Sequence, residues 1–298
     1  MNYTKWLNKN TENLTGKTVA VTGSTGGIGR ELCSFIAALG ADLILVDRNP
    51  KLSSEHKESL HERFPKISVR CLSLDLEDVC AADRVCEQLT DIDVFIHNAG
   101  AYSIPRHKCT TGYGNVFQIN FATPYYMIRK LLPSLRKRGG KVVVVGSIAH
   151  NYSKTDTTDV DFETRNAASK VYGNAKRFLM FALFELFKNE KDVTLSVCHP
   201  GITFTNITAH YPKLIFAVIK YPMKVIFMKP KTAALSILKG VFDTTEHSKW
   251  IGPHIFDVWG LPNKKMLKTC LPNEINSIAS MAEEVFCKCE NTVETSKT

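Results

Sequence analysis

Tyr172 and Lys176 lie four residues apart, and their types and spacing could do proton chemistry. Positions i and i+4 share one helix face, so the phenol and the ammonium point the same way. A cation beside a phenol favours the phenolate and lowers its pKa from about 10. The tyrosine could then donate and accept a proton near neutral pH. Ser147 ends a β-rich run upstream, the place where open α/β sheets hold their ligands. A rival register exists in Asn166-Ala-Ala-Ser-Lys170, which has the look of the same pair with its tyrosine lost. The unbroken helical pattern after Lys176 favours Tyr172.

A second candidate lies near the N-terminus, in Thr22-Gly23-Ser24-Thr25-Gly26-Gly27-Ile28-Gly29. It follows a strand pattern and opens a helical one. Glycines let the backbone turn sharply and approach a pyrophosphate, and a helix N-terminus offers free N–H groups to the anion. That context predicts a dinucleotide site with Gly23, Ser24, Thr25, Gly27, Ile28 and Gly29 on the phosphates. Asp47 ends the next strand pattern. An acid there can take the ribose 2′-hydroxyl and would repel a 2′-phosphate, which favours NAD. Arg48 follows directly; it is either a partner for a 2′-phosphate, which would admit NADP, or an exposed loop charge.

These residues need a scaffold, and the sequence supplies one. Continuous Val/Ile/Leu runs at Thr18–Val21, Asp42–Val46, Ile67–Leu74, Asp93–Ile96, Lys141–Val145 and Val193–Val197 suit parallel strands buried on both faces. Trp250–Phe256 is a candidate final strand. Between them run helical patterns, one through Ile28, Leu32, Phe35, Ile36 and Leu39, another through Tyr172, Phe178, Leu179, Ala182, Leu183 and Leu186. The alternation predicts an α/β fold, a Rossmann-type doubly wound parallel sheet with helices on both faces.

The loop spacing Thr-Gly-x-x-x-Gly-x-Gly, with Tyr-x-x-x-Lys downstream, resembles the short-chain dehydrogenase/reductase family in its classical form. Ser147-Ile-Ala-His150, the long interval from Ser147 to Tyr172 and the segment around Tyr172 resemble retinol-dehydrogenase-like and hydroxysteroid-dehydrogenase-like members. The resemblance implies roles for further residues. Asp75 and Leu76 would lie by the adenine, with helix capping the alternative for Asp75. Asn98, Ala99 and Gly100 would support the sheet beside the cofactor. Asn120 would hold a water that relays protons from Lys176. In Pro200-Gly201-Ile202-Thr203-Phe204-Thr205, the turn and Thr205 would orient the nicotinamide. Ser147, Tyr172 and Lys176 would then move a proton while a hydride passes between NAD or NADP and a carbonyl or secondary alcohol. His150 and His199 are read as packed rather than catalytic.

The chain has 298 residues, of which 44% are hydrophobic and 22% charged, so it can bury a large core. One domain over 1–298 is expected, with a mobile tail near 288–298, and the family resemblance implies a substrate-covering segment near 203–232. Residues 207–230 are apolar and suit a hydroxysteroid, retinoid or other lipid-like substrate, or simply a packed helix or dimer contact. Lys213, Lys220, Lys224 and Lys231 would share a stripe that could rest on an anionic membrane, although Pro222 and Pro230 interrupt it. The net charge of +9 is scattered, without a nucleic-acid-binding module. Nine cysteines without C-x-x-C spacing point to a reducing compartment rather than a disulfide framework or a metal site. Cys287 and Cys289 alone offer too few ligands. No signal-peptide core or spanning run is seen, so a cytoplasmic protein is expected; the family resemblance implies a homodimer or homotetramer. The rival is a non-catalytic NAD(P)-binding sensor. A sugar-nucleotide epimerase would carry a different glycine spacing and a larger C-terminal domain.

Overall fold

The computed structural model describes residues 3–203, 227–245, 248–267, 269 and 271–297. Eight strands form one sheet: β1 (Thr18–Thr22), β2 (Asp42–Asp47), β3 (Val69–Ser73), β4 (Val94–His97), β5 (Lys141–Val145), β6 (Thr194–Cys198), β7 (Lys249–Ile255) and β8 (Trp259–Met266). Their spatial order is β3-β2-β1-β4-β5-β6-β7-β8. The first seven run parallel and β8 returns antiparallel to β7. The order reverses between β1 and β4, and such a switch point opens a crevice at the strands' carboxyl ends. The doubly wound sheet is as the sequence implies; β8 is an addition to it.

Two helical layers cover the sheet. On one face lie α1 (Tyr3–Asn10), α2 (Gly27–Ala38), α3 (Pro50–Arg63) and α8 (Pro230–Phe242). On the other lie α4 (Val79–Gln88), α6 (Thr123–Lys137), α7 (Ala168–Leu186) and α9 (Pro272–Lys297), with the short α5 (Asn115–Phe117) joined to α6 by a π-helical turn over Gln118–Ala122. The apolar face predicted from Leu32, Phe35 and Ile36 is buried on α2. The α7 helix departs from amphipathic expectation. Every residue from Gly173 to Phe184 is buried, because the helix is wedged between the sheet and α9.

Beyond residue 287 the expected loose tail is instead the last turns of α9. Ile278, Ala282, Val285, Cys289 and Val293 recur at helical spacing and are all buried. The helix end is further held by Lys297, whose ammonium donates to buried Asp83 at 2.8 Å. Most of the predicted covering segment, residues 204–226, lies outside the described residues, and with it Thr205, Lys213, Lys220 and Lys224. Lys231 is described and exposed, with its ammonium over the rings of Tyr3 and Phe35. Pro230 takes the first turn of α8, where a missing N–H costs nothing. Among the described residues no helix is long and apolar enough to cross a membrane.

Candidate active site and nucleotide cleft

The turn after β1 is built for close approach. Gly23 has φ +67°, and a side chain at Gly29 would collide with the Gly23 carbonyl. This tight turn delivers the chain into α2, whose N-cap Gly26 makes no side-chain cap. The first N–H groups of that helix therefore remain available to an anion. Across the switch point, the Asn98 amide donates to the Thr22 and Gly23 carbonyls at 3.1 and 3.0 Å. Thr22 Oγ1 accepts from the Asn98 and Ala99 N–H groups at 3.1 Å each. The ends of β1 and β4 are thus clamped together. A cleft of about 670 Å³ opens there, lined by Gly23, Thr25, Gly27, Ile28, Gly29, Asp47, Arg48, Asp75, Leu76, Asn98, Ala99 and Gly100. Ser24 sits beneath it, fully buried. The depth, the glycine cradle and the uncapped helix end fit a dinucleotide.

Asp47 does not present itself as the sequence suggests. Its carboxylate is buried and accepts from Ser24 Oγ (2.5 Å), Thr25 N and Oγ1 (3.0 Å each) and Ser53 Oγ (3.2 Å). Four donors fill the acceptor sites that a ribose hydroxyl would need, so the acid staples the glycine turn to β2. Arg48, next in sequence, is exposed on the cleft wall. Asp75 lies at the far wall and accepts from the Glu77 N–H at 3.1 Å. The capping alternative for Asp75 is excluded, because Asp78 caps α4 through the Ala81 N–H at 3.0 Å.

The proton-transfer candidates converge beside this cleft. The Tyr172 hydroxyl is hydrogen-bonded to Ser147, and Lys176 Nζ lies 5.8 Å from the Tyr172 ring centre. Gly173, next to the tyrosine, lets α7 press against the Ser147–Ser153 turn, since a side chain there would strike the Ala149 carbonyl. Lys176 is 1% exposed and donates to the Val145 carbonyl at 3.0 Å. Asn166 and Lys170, the rival pair, are both exposed, with Asn166 ahead of the start of α7. The register built into the site is therefore Tyr172 and Lys176.

The electrostatics differ from the sequence expectation. Burial pushes the Tyr172 phenol up to about 12; Ser147 opposes this by hydrogen bonding and Tyr102 adds to it. Burial also pushes the Lys176 ammonium down to about 7, so the charge expected to acidify the phenol is itself weakened. Asn120 is buried but spends its side chain on the backbone. Its Nδ2 donates to the Ala101 and Val116 carbonyls at 2.8 Å each, and its Oδ1 accepts from the Ala101 N–H at 3.2 Å. It still borders the lysine, because Gly100 is approached by both Asn120 Oδ1 and Lys176 Nζ. Pro200 is buried, Gly201 turns with φ +82°, and the Ile202 carbonyl accepts from the Met228 N–H at 2.9 Å.

Both histidines singled out as structural are so placed. His150 is fully buried between Ser147 O (2.6 Å) and Thr269 Oγ1 (2.8 Å), and burial holds its pKa low. His199 stacks on Trp250, and burial lowers its pKa to about 4. Two further residues escaped the sequence reading. Tyr102 meets the Tyr172 ring edge-on at 5.3 Å. Arg177 pairs with Glu274 of α9 and donates to the His150 carbonyl at 3.0 Å, tying α7, the Ser147 turn and the C-terminal helix together. Neither carries a local spacing signal.

Residues 17–213 match the family model for short chain dehydrogenase. The short-chain dehydrogenase TIC 32 A, chloroplastic, of Brassica napus is 29% identical over 210 residues, covering 65% of this chain and 66% of that protein. Retinol dehydrogenase 14 of Mus musculus is 27% identical over 212 residues, covering 65% of this chain and 64% of that protein. The chain thus matches just under two thirds of the length of these relatives. An uncharacterised protein from Mycobacterium paratuberculosis superposes with a TM-score of 0.72 at 20% identity over 96% of both chains, which shows the shared fold.

Proposed function

The chain belongs to the short-chain dehydrogenase family, and we propose that it binds NAD(P) in the cleft and oxidises a secondary alcohol, or reduces the ketone, of an apolar lipid-like substrate. The observation that carries this reading is the convergence of half-buried Ser147 and Tyr172 with buried Lys176 at the carboxyl ends of the strands. When bound, the nicotinamide supplies or accepts the hydride, and its oxidised ring adds the positive charge that favours phenolate. The chain's own residues do the rest. Ser147 donates a hydrogen bond to the substrate oxygen and stabilises charge developing there. Tyr172 passes the proton at its hydroxyl oxygen. Lys176, held on the Val145 carbonyl, faces the same crevice and raises the local positive potential as it takes up its proton. The apolar character of residues 207–230 and the name of the mouse relative support a retinoid- or steroid-like substrate.

The decisive experiment is Tyr172→Phe, assayed on a panel of steroids, retinoids and simple secondary alcohols. Turnover should fall by about 10²- to 10⁴-fold while nucleotide binding, read by cofactor fluorescence, stays near wild type. Wild-type turnover in that variant removes Tyr172 from catalysis. A wild-type protein that binds nucleotide yet turns over none of the panel would favour the sensor reading.

A further inference from the structure

A second constellation lies next to the cleft wall formed by Asp75 and Leu76. Glu77 comes from the turn between β3 and α4, while His107 and Cys109 come from the loop before α5. Thirty residues separate Glu77 from His107 in sequence, yet His107 Nε2 lies 2.7 Å from the Glu77 carboxylate. One donor atom from each of Glu77, His107 and Cys109 lies within 4.8 Å of the others. His107 and Cys109 are two apart, which puts their side chains on one side of an extended segment. The backbone fixes that segment: Lys108 bridges Gly114, the Cys109 N–H donates to Tyr113 O at 2.9 Å, and the Asn115 N–H donates to His107 O at 2.9 Å.

The surroundings favour a cation. The Asn115 amide nitrogen donates to His107 Nδ1 at 3.1 Å and to the Pro105 carbonyl at 3.0 Å, which holds the ring with Nε2 and its proton toward Glu77. Cys109 is partly buried, and its thiol is pushed up to about 11 by burial and by the negative charges of Glu77 and Asp75. A divalent ion would reverse that balance and bind the thiolate. Imidazole, thiolate and carboxylate together suit a borderline-soft ion, and tetrahedral sites of this kind hold ligands at about 2.0–2.3 Å.

We propose that Glu77, His107 and Cys109 form a three-ligand site for a zinc-type divalent cation, with the fourth position open to water. For the ion to bind, the His107 ring moves its proton from Nε2 to Nδ1 as the Asn115 amide turns aside; two metal bonds then replace the His107–Glu77 hydrogen bond, and Cys109 loses its proton to solvent as the third forms. It clasps the turn after β3, whose Asp75 and Leu76 line the nucleotide cleft, to the loop before α5. This proposal stands independently of the redox reading.

The test uses the full chain in a Cys287→Ser background, which removes the exposed thiol near the C-terminus. Chelator-treated protein is titrated with Co²⁺, then with Zn²⁺ against a chromophoric competitor. One ion per chain should bind, with a near-ultraviolet thiolate-to-cobalt band and a rise in melting midpoint with Zn²⁺. Cys109→Ser should abolish the band. His107→Gln should weaken binding by at least the roughly tenfold that even an outer-shell change costs. Both variants should keep the wild-type circular dichroism and melting midpoint in chelator, so that a lost site is not confused with a lost fold. A band that survives Cys109→Ser, or no saturable uptake by the starting protein, overturns the proposal.

Discussion

Lys176 has conflicting physical demands. The chemistry wants an ammonium one helical turn from a phenol, but burial pushes that ammonium down to about 7 from its ordinary 10.5. Between those values the unfolded chain holds a proton that the folded chain releases, so wild-type stability rises with pH across that window and is lowest at its acid end. Lys176→Met removes the titration. Its melting midpoint, relative to wild type without nucleotide, should be most favourable near pH 7 and lose ground steadily toward pH 10. A difference that is flat in pH would mean the lysine stays charged when buried. Arg48 poses the matching question at the other end of the cleft. Asp47 is saturated by the glycine turn, which leaves Arg48 as the exposed charge that can meet a 2′-phosphate. We therefore expect both nucleotides to be used. Arg48→Ala should lower kcat/KM for NADPH about tenfold, the scale of one charge-assisted contact, with NADH little changed. Equal losses with both nucleotides would remove Arg48 from this role.

At the scale of elements, what could be read depended on how local the signal was. Strands β1, β2, β4, β5 and β6 were legible because parallel strands buried on both faces leave continuous apolar runs; β3, at the sheet edge with only Val69 buried, was legible from its place in the strand–helix alternation. β8 was not, since Trp-Gly-Leu-Pro-Asn-Lys-Lys-Met carries an internal proline and two lysines, as an edge strand tolerates. The glycine turn and the Tyr172–Lys176 pair were legible because their chemistry sits within one turn or one helix. Partnerships across elements were hidden. Nothing local says that Asp47 faces Ser24 and Thr25 rather than the ribose, or that the Asn120 amide closes on Val116 and Ala101 through a π-helical turn. The same holds for Glu77 meeting His107 and Cys109, and for Arg177 reaching Glu274 of α9. Each needs the topology first, because the partners come from different crossovers of the sheet.

The whole molecule is closed by its last helix. α9 covers the face of the sheet that carries α4, α6 and α7, and its apolar stripe merges with the larger of the two main cores. One end is fastened at Glu274 to Arg177, immediately after Lys176, and the other at Lys297 to Asp83. The active site is therefore supported by the last 26 residues of described chain rather than trailed by them. A loose tail and a core helix predict different costs for the same deletion of methyl groups. Ile278, fully buried, should cost about 2–5 kcal/mol when changed to alanine, and Val293 about 2 kcal/mol, because each leaves a cavity in a packed interior. Urea titrations should show both as lower midpoints with little change in slope. If Val293→Ala instead stays within about 0.5 kcal/mol of wild type, as an exposed position would, the final turns of α9 do not belong to the core. Turnover per folded molecule serves as the control. Val293 lies near the far end of α9 from Glu274 and should leave turnover intact. Ile278, one turn from Glu274, should disturb it only insofar as it loosens the Arg177 clamp on the Ser147 turn.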